Sequence, residues 1–334
     1  MFQSILAATD RISRPDPAVI SAARLARMSG TPWSIIHVLE SASILDRRRV
    51  LHYRTGAEQM ATPEYRTHIR RHLKTTYHDL LAWAPPCEVH VATGFPWREI
   101  SRQAGRIRAD LIVMGPHSGI RSKADGLRVL GGIGSTFEGV VTREHGPVMI
   151  VNQNPCRPKP SFKRILVGFD FSGSCEKALH FATALARFNR AHVDIFHMLP
   201  IPPYPKYDRE NYHADIEKTR DRMVSSCASI LGDLPHRFAL WGGVLPDQEL
   251  FKCAAKYQAD AIVLGSHTKD RQGKWYAGST VEKISQQAAC PVFVLSDTPG
   301  LPLGAGRTRE ASGDSDGDHT IRVFSRRHAD AEIH

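Results

Sequence analysis

The chain has no long hydrophobic run. None of its apolar stretches approaches the roughly 18 residues that a membrane-spanning helix needs. Its N-terminus enters a strand directly, without the basic segment and apolar core of a secretory signal, so a cytoplasmic location is expected. Cysteine is sparse, six in 334 residues (Cys87, Cys156, Cys175, Cys227, Cys253 and Cys290), and no two stand as Cys-x-x-Cys. A zinc site lacks its spacing and a disulfide framework lacks its density, so these thiols are expected reduced, mostly buried and without metal. No Gly-x-Gly-x-x-Gly follows the first strand, which disfavours a dinucleotide fold. Neither a helix-turn-helix nor a zinc-finger pattern occurs. With 42% hydrophobic and 23% charged residues, what is left is an ordinary globular composition.

What the chain does have is a repeat. Residues 109–115 read Ala-Asp-Leu-Ile-Val-Met-Gly and residues 259–265 read Ala-Asp-Ala-Ile-Val-Leu-Gly, each followed by a histidine, His117 or His267. The match spreads outward. Ile5–Asp10 answers to Ile165–Asp170 and His37-Val38 to His197-Met198, both at an offset of 160. Pro96 answers to Pro246 at 150, and Gly134-Ser135 to Gly278-Ser279 at 144. Two copies of about 150 residues are two domains rather than a solenoid, and each is long enough for its own core. The predicted boundaries are 1–152 and 162–297. The Pro-rich linker 153–161 is expected extended and stiff, and the Gly-, Ser- and Asp-rich tail 298–334 disordered. Within that tail, Asp314–Asp318 resembles a calcium loop only superficially, since the glycine and glutamate such a loop needs are missing.

The net charge of +10 is uneven: residues 1–160 hold 22 Lys/Arg against 13 Asp/Glu. Its densest part runs from Arg47-Arg48-Arg49 through Arg66, Arg70, Arg71 and Lys74. A solvated helix face accounts for it better than a nucleic-acid reader, because base reading needs more than charge.

Strands alternate with helices in both copies. In the second, strands fall at 164–169, 191–198, 236–241, 261–264 and 291–295. Helices fall at 175–188 (capped by Ser174), 207–231, 247–257 and 279–289. This predicts an α/β fold of two tandem doubly wound domains, each a five-stranded parallel sheet with helices on both faces. Runs such as Leu111–Met114 do not alternate, as suits strands covered on both sides. Ligands of such sheets lie beyond the carboxyl ends of the strands. There the second copy places Gly265-Ser266, then Thr268, then nine residues and Gly278-Ser279-Thr280 opening a helix. A glycine at a strand end lets a ligand approach the backbone, and a helix start offers free N–H groups to phosphate. A strand-exit turn and an N-cap would account for the same residues.

These residues, in this order and twice over, resemble the universal stress proteins of the tandem two-domain type, over about residues 1–296. The resemblance implies an adenine-nucleotide alpha hydrolase-like fold and a non-catalytic stress-response or regulatory role. It also implies a degenerate site for ATP or a related adenine nucleotide, with Mg2+ alongside it. Its ATP-binding members carry Gly, two residues, Gly, nine residues, Gly, then Ser or Thr. The second copy keeps that spacing with Thr268 at the middle glycine; the first has Ser118 there and fifteen residues before Gly134. If that position needs positive φ, a residue other than glycine costs roughly 1–2 kcal/mol, about a five- to thirty-fold weakening. The contacts implied are Gly168, Asp170, Met198, Gly265, Ser266, Thr268, Gly278, Ser279 and Thr280, with the second copy expected to retain the site best. In the first copy they are Ala8, Asp10, Val38, Gly115, Gly134 and Ser135. The resemblance further implies pairing of the last strands, 148–151 with 292–295, as an intramolecular pseudo-dimer able to form a homodimer. Alternatives at this point are an adaptor that takes another anion or nucleic acid through the basic first domain, and a weak nucleotide-dependent hydrolase. Against the latter, 171–174 reads Phe-Ser-Gly-Ser, not the Ser-Gly-Gly-x-Asp-Ser of ATP pyrophosphatases, and no His-x-Gly-His of nucleotidylyl transferases occurs. His117 and His267 read as loop histidines rather than general acids, and no catalytic residue is assigned.

Overall fold

The apolar runs that carry the repeat form the middle of a sheet. A computed structural model of the chain describes residues 1–41, 48–52, 55–116, 135–144, 146–152, 162–201, 209–266 and 280–296. The first half runs β1 (Ile5–Ala8), α1 (Pro17–Ser29), β2 (Trp33–Glu40), β3 (Arg49–Leu51), β4 (Glu58–Met60), α2 (Pro63–Thr76) and α3 (His78–Trp83). It continues with β5 (Cys87–Gly94), α4 (Pro96–Ile107), β6 (Leu111–Met114), α5 (Ser135–Val141) and β7 (Val148–Ile150). The second half runs β8 (Arg164–Gly168), α6 (Gly173–Asn189), β9 (His192–Pro200), α7 (Arg209–Leu231) and β10 (His236–Gly243). It ends with α8 (Pro246–Tyr257), β11 (Ala261–Ser266), α9 (Thr280–Gln287) and β12 (Val292–Ser296).

Ten strands make one sheet in the order β10-β9-β8-β11-β12-β7-β6-β1-β2-β5. Each half is a five-stranded parallel unit, as expected. The two units join through antiparallel pairing of β7 with β12, Met149 facing Phe293. Alternate residues feed two layers: Ile5 and Ala7 pack with α1 on one face, and Leu6 and Ala8 pack with Ile100 and Phe137 on the other. Every residue of β1 and β6 is buried.

The repeated Ala-Asp has a structural cause. Asp110 accepts the N–H of Gln3 at 2.7 Å and of Ser4 at 3.1 Å. Asp260 does the same for Lys163 at 2.8 Å and Arg164 at 3.0 Å. Each aspartate thereby pins the start of its neighbouring first strand.

Three local details differ from the sequence reading. Ser172, not Ser174, caps α6, its hydroxyl accepting the Cys175 N–H at 3.3 Å, while Ser174 is buried beneath it. The last helix ends at Gln287 rather than at 289. A small antiparallel sheet, β3 with β4, precedes α2 in the first half. The linker 153–161 and the tail 298–334 lie outside the described residues. Among those described, no helix is long and apolar enough to cross a membrane, and the cysteines are free thiols. Burial pushes Cys175 and Cys253 up to about 12, which keeps them protonated.

Candidate functional site

The chain leaves β1 toward β2 on one side, and β6 lies on the other, so strand order reverses beside β1. A crevice opens at the carboxyl ends of strands at such a point. It is a cleft of about 120 Å³ whose walls bring together Ala8, Asp10, Val38 and Gly115. Ile36, Ile100, Met114 and Phe137 supply apolar walls, and Thr9, Asp16 and His37 supply polar ones.

Those polar groups are held by one another. The His37 Nδ1–H donates to the Thr9 carbonyl at 2.9 Å, and burial lowers the imidazole to about 4, so it is neutral near pH 7. The Thr9 hydroxyl donates to Asp16 Oδ2 at 2.8 Å. Asp16 Oδ1 accepts the Ala18 N–H at 2.9 Å as the N-cap of α1. The Tyr77 hydroxyl stands 3.4 Å from that of Thr9. Burial raises the pKa of both Asp16 and Tyr77, with the Ala18 and Thr9 hydrogen bonds pulling Asp16 back.

The helix start decides how much of the strand end stays bare. Pro17 occupies the first turn of α1, where its missing N–H is harmless. A proline cannot sit deeper in a helix without breaking it, so Pro15 and Pro17 keep residues 13–16 out of α1. The second half has no proline there. α1 has 13 residues and α6 has 17, and their left-handed caps, Gly30 and Arg190, are equivalent, so α6 gains a turn at its start. That turn lies on Gly265: an added Cβ would stand 2.4 Å from the Ser174 carbonyl carbon and the Cys175 nitrogen. At Gly115 an added Cβ would meet nothing within 4 Å among the described residues. Close packing of α6 is thus one physical reason for a glycine at this strand end. Gly168 is similar, with Leu264 Cδ2 2.7 Å from its Cβ position.

The exit of β8 is aromatic where that of β1 is polar. Phe171 adopts φ 64°, stacks edge-on with Phe169 at 5.2 Å and His197 at 4.9 Å, and lies 3.9 Å beneath the Arg222 guanidinium. The Asp170 carboxylate accepts the Ser172 N–H at 2.9 Å. His197 repeats the clamp of His37, donating to the Phe169 carbonyl at 2.7 Å, and burial lowers its pKa. Met198 pairs with Trp241 in the sheet. Ser266 is buried in β11 opposite Ser296. Ser135 and Thr280 open α5 and α9. Gly134, Thr268, Gly278 and Ser279, with His117 and His267, lie outside the described residues.

Sequence reasoning did not single out Thr9, Asp16, Ile100 or Phe137. The Asp16-Pro17 pair, an N-cap followed by a first-turn proline, was the signal for the later helix start. Among the described residues, no group of three His, Cys, Asp or Glu side chains could hold a metal ion.

Comparison with known proteins gives a consistent picture. The model of the universal stress protein family matches twice, over residues 1–152 and 161–296. A universal stress protein of Thermus aquaticus, encoded in the QAH/OAS sulfhydrylase 3' region, is 28% identical over 137 residues, covering 40% of this chain and 98% of that protein. A universal stress protein structure from Archaeoglobus fulgidus aligns at 17% identity and a TM-score of 0.55, covering 88% of this chain and 98% of its own. A putative universal stress protein from Pseudomonas aeruginosa gives 14% identity and a TM-score of 0.55, covering 88% and 93%. At those identities the two structures speak for the fold.

Proposed function

Because this chain belongs to the universal stress protein family, in its tandem two-domain form, we propose that it is a non-catalytic, cytoplasmic stress-response protein that binds an adenine nucleotide in its first domain. The reading rests on the open cleft over Gly115, whose walls are the strand ends the family uses for nucleotide. A cleft of about 120 Å³ is well below the roughly 300–1,000 Å³ of a pocket that swallows a whole ligand. It suits a flat base against Val38, Ile100 and Met114, with the ribose at Asp10 and the phosphates, with Mg2+, outside the cleft. Neutral His37, committed to the Thr9 carbonyl, and Asp16, committed to a helix cap, orient the wall rather than move protons. In this reading the second domain is a partner whose strand end is given over to packing.

We read residues 1–152 and 162–297 as the domains, and the β7–β12 pairing as an internal substitute for a dimer of single-domain subunits. The intervening segment keeps the effective concentration of each partner high.

The test is denaturing extraction of purified protein with nucleotide detection, followed by titration with ATP, ADP and adenosine. The proposal expects adenosine to bind measurably by itself, since the base end is the enclosed part. Failure of all three to bind contradicts it.

A further inference from the structure

A second cavity in the first domain, of about 290 Å³, wraps the outer edge of β5 between α2 and α4. Four arginines line it: Arg66 and Arg70, one turn apart on α2, and Arg102 and Arg106, one turn apart on α4. Among the described residues, Glu99 is the one carboxylate in the lining, and it is engaged by Arg102. Arg106 donates to His90 Nδ1 at 3.3 Å. Burial, then Arg106 and Arg70, lower the His90 pKa against the pull of Glu88, so the imidazole reports a positive field in the cavity. Gln103, only 8% exposed, lines the same space with its side-chain amide nitrogen unpartnered, and so does the Thr93 hydroxyl. Four like charges against one lining carboxylate repel, and a buried donor left unpaired is costly. One multiply charged acceptor would relieve both.

The second domain builds the equivalent place differently. The sheet register sets Ala92 against Val38 and Trp241 against Met198, so Trp241 replaces Ala92. The Trp241 indole stands in that place and donates to Glu249 at 2.8 Å. Cys253, fully buried, stands on α8 where α4 has Gln103, each seven residues after the helix-opening proline. Arg102 and Arg106 answer to Lys252 and Lys256, and Lys256 lies over the Trp241 ring at 5.4 Å. Among the described residues, it is the first domain that pairs this cavity with an orphan amide.

We propose that this groove, which lies beside the cleft over Gly115 and shares the Ile36 wall with it, binds a phosphate-bearing anion of two or more phosphoryl groups. The guanidiniums take its oxygens in charge-assisted, paired hydrogen bonds, and Gln103 and Thr93 donate to the innermost phosphoryl. Free inorganic polyphosphate and the phosphate chain of a nucleotide share this chemistry.

Calorimetric titration with inorganic tripolyphosphate and with ATP tests it, using full-length wild type, Arg66→Ala/Arg70→Ala and Val38→Trp. The arginine pair is exposed on α2, so its removal leaves the core intact; Val38→Trp blocks the other cleft. Saturable tripolyphosphate binding is expected in wild type and Val38→Trp, weakened about ten-fold or more in the double variant and falling with salt. The His90 imidazole resonance should move on addition, with its pKa rising, in wild type and not in the double variant. ATP binding to Val38→Trp that depends on the arginines assigns the groove to a nucleotide's phosphates; ATP failing there while tripolyphosphate binds assigns it to free polyphosphate. No saturable binding, binding indifferent to the arginines, or an unmoved His90 overturns the proposal. So does single-stranded RNA binding that tripolyphosphate does not displace.

Discussion

Gly115 and Gly265 hold the same place in two copies of one motif, yet their surroundings ask different things of them. Backbone atoms of Ser174 and Cys175 crowd the Gly265 position, and none of the described residues crowds Gly115. Gly265→Ala should therefore cost roughly 1–3 kcal/mol, as other overpacking changes do, while Gly115→Ala should change stability by no more than about 0.5 kcal/mol. Urea midpoints of the two variants check this directly. His37 carries a pH dependence. It titrates near 6.5 in an unfolded chain and at about 4 when folded. Between those values the unfolded state holds a proton that the folded state lacks, so stability is full above about 6.5 and falls as pH drops toward 4. The complete loss is roughly 3 kcal/mol. Asp16, raised by burial, works oppositely at the acid end, because protonation relieves its desolvation. Wild type should lose more stability than His37→Gln between pH 7 and pH 5, measured by urea unfolding at both. Equal losses would assign the slope to other groups.

Helix ends show what the sequence made visible and what it hid. α1 closes on Gly30 at φ 64°, but α4, α6 and α8 close on Arg108, Arg190 and Gln258 at φ 52°, 51° and 52°. Left-handed backbone costs a residue with a Cβ roughly 1–2 kcal/mol. Arg190→Gly and Gln258→Gly should each raise stability by about 0.5–1 kcal/mol, read from the shift in thermal midpoint. The long strands were legible because their apolar runs need no partner to be recognised. β3 and β4 were not, being three residues each with little buried surface. The capping of α6 was misplaced by two residues because Ser172 and Ser174 are equally good cap formers, and only packing buries the second. The roles of Asp110 and Asp260 depend on contacts about a hundred residues away, which local pattern cannot reveal. The later start of α1 was written in Pro15 and Pro17.

At the scale of the whole molecule, the two halves share one sheet and continuous cores. Phe293 at the seam packs on Phe162 and Phe181, at 5.4 Å and 5.2 Å, and Phe2 of the first half lies 6.5 Å from Phe181. Asn152 donates to the Ala288 carbonyl at 2.7 Å and Ser296 to the Glu144 carbonyl at 2.8 Å, from one half to the other. Residues 1–152 produced alone would expose β7 as an apolar edge, a surface that seeks another strand. They should self-associate in light scattering, and Met149→Asp should abolish that association. A monomeric, well-folded 1–152 would mean that the seam contributes little.

The central claim is that one domain, the first, holds the nucleotide cleft. Calorimetric titration of the full chain with adenosine isolates it, because adenosine lacks the phosphates that the arginine groove would take. The account predicts one binding event per chain, weakened about ten-fold or more by Val38→Trp and unchanged by Met198→Trp, its equivalent in the second domain. Two events per chain, or loss on Met198→Trp with Val38→Trp indifferent, would contradict it.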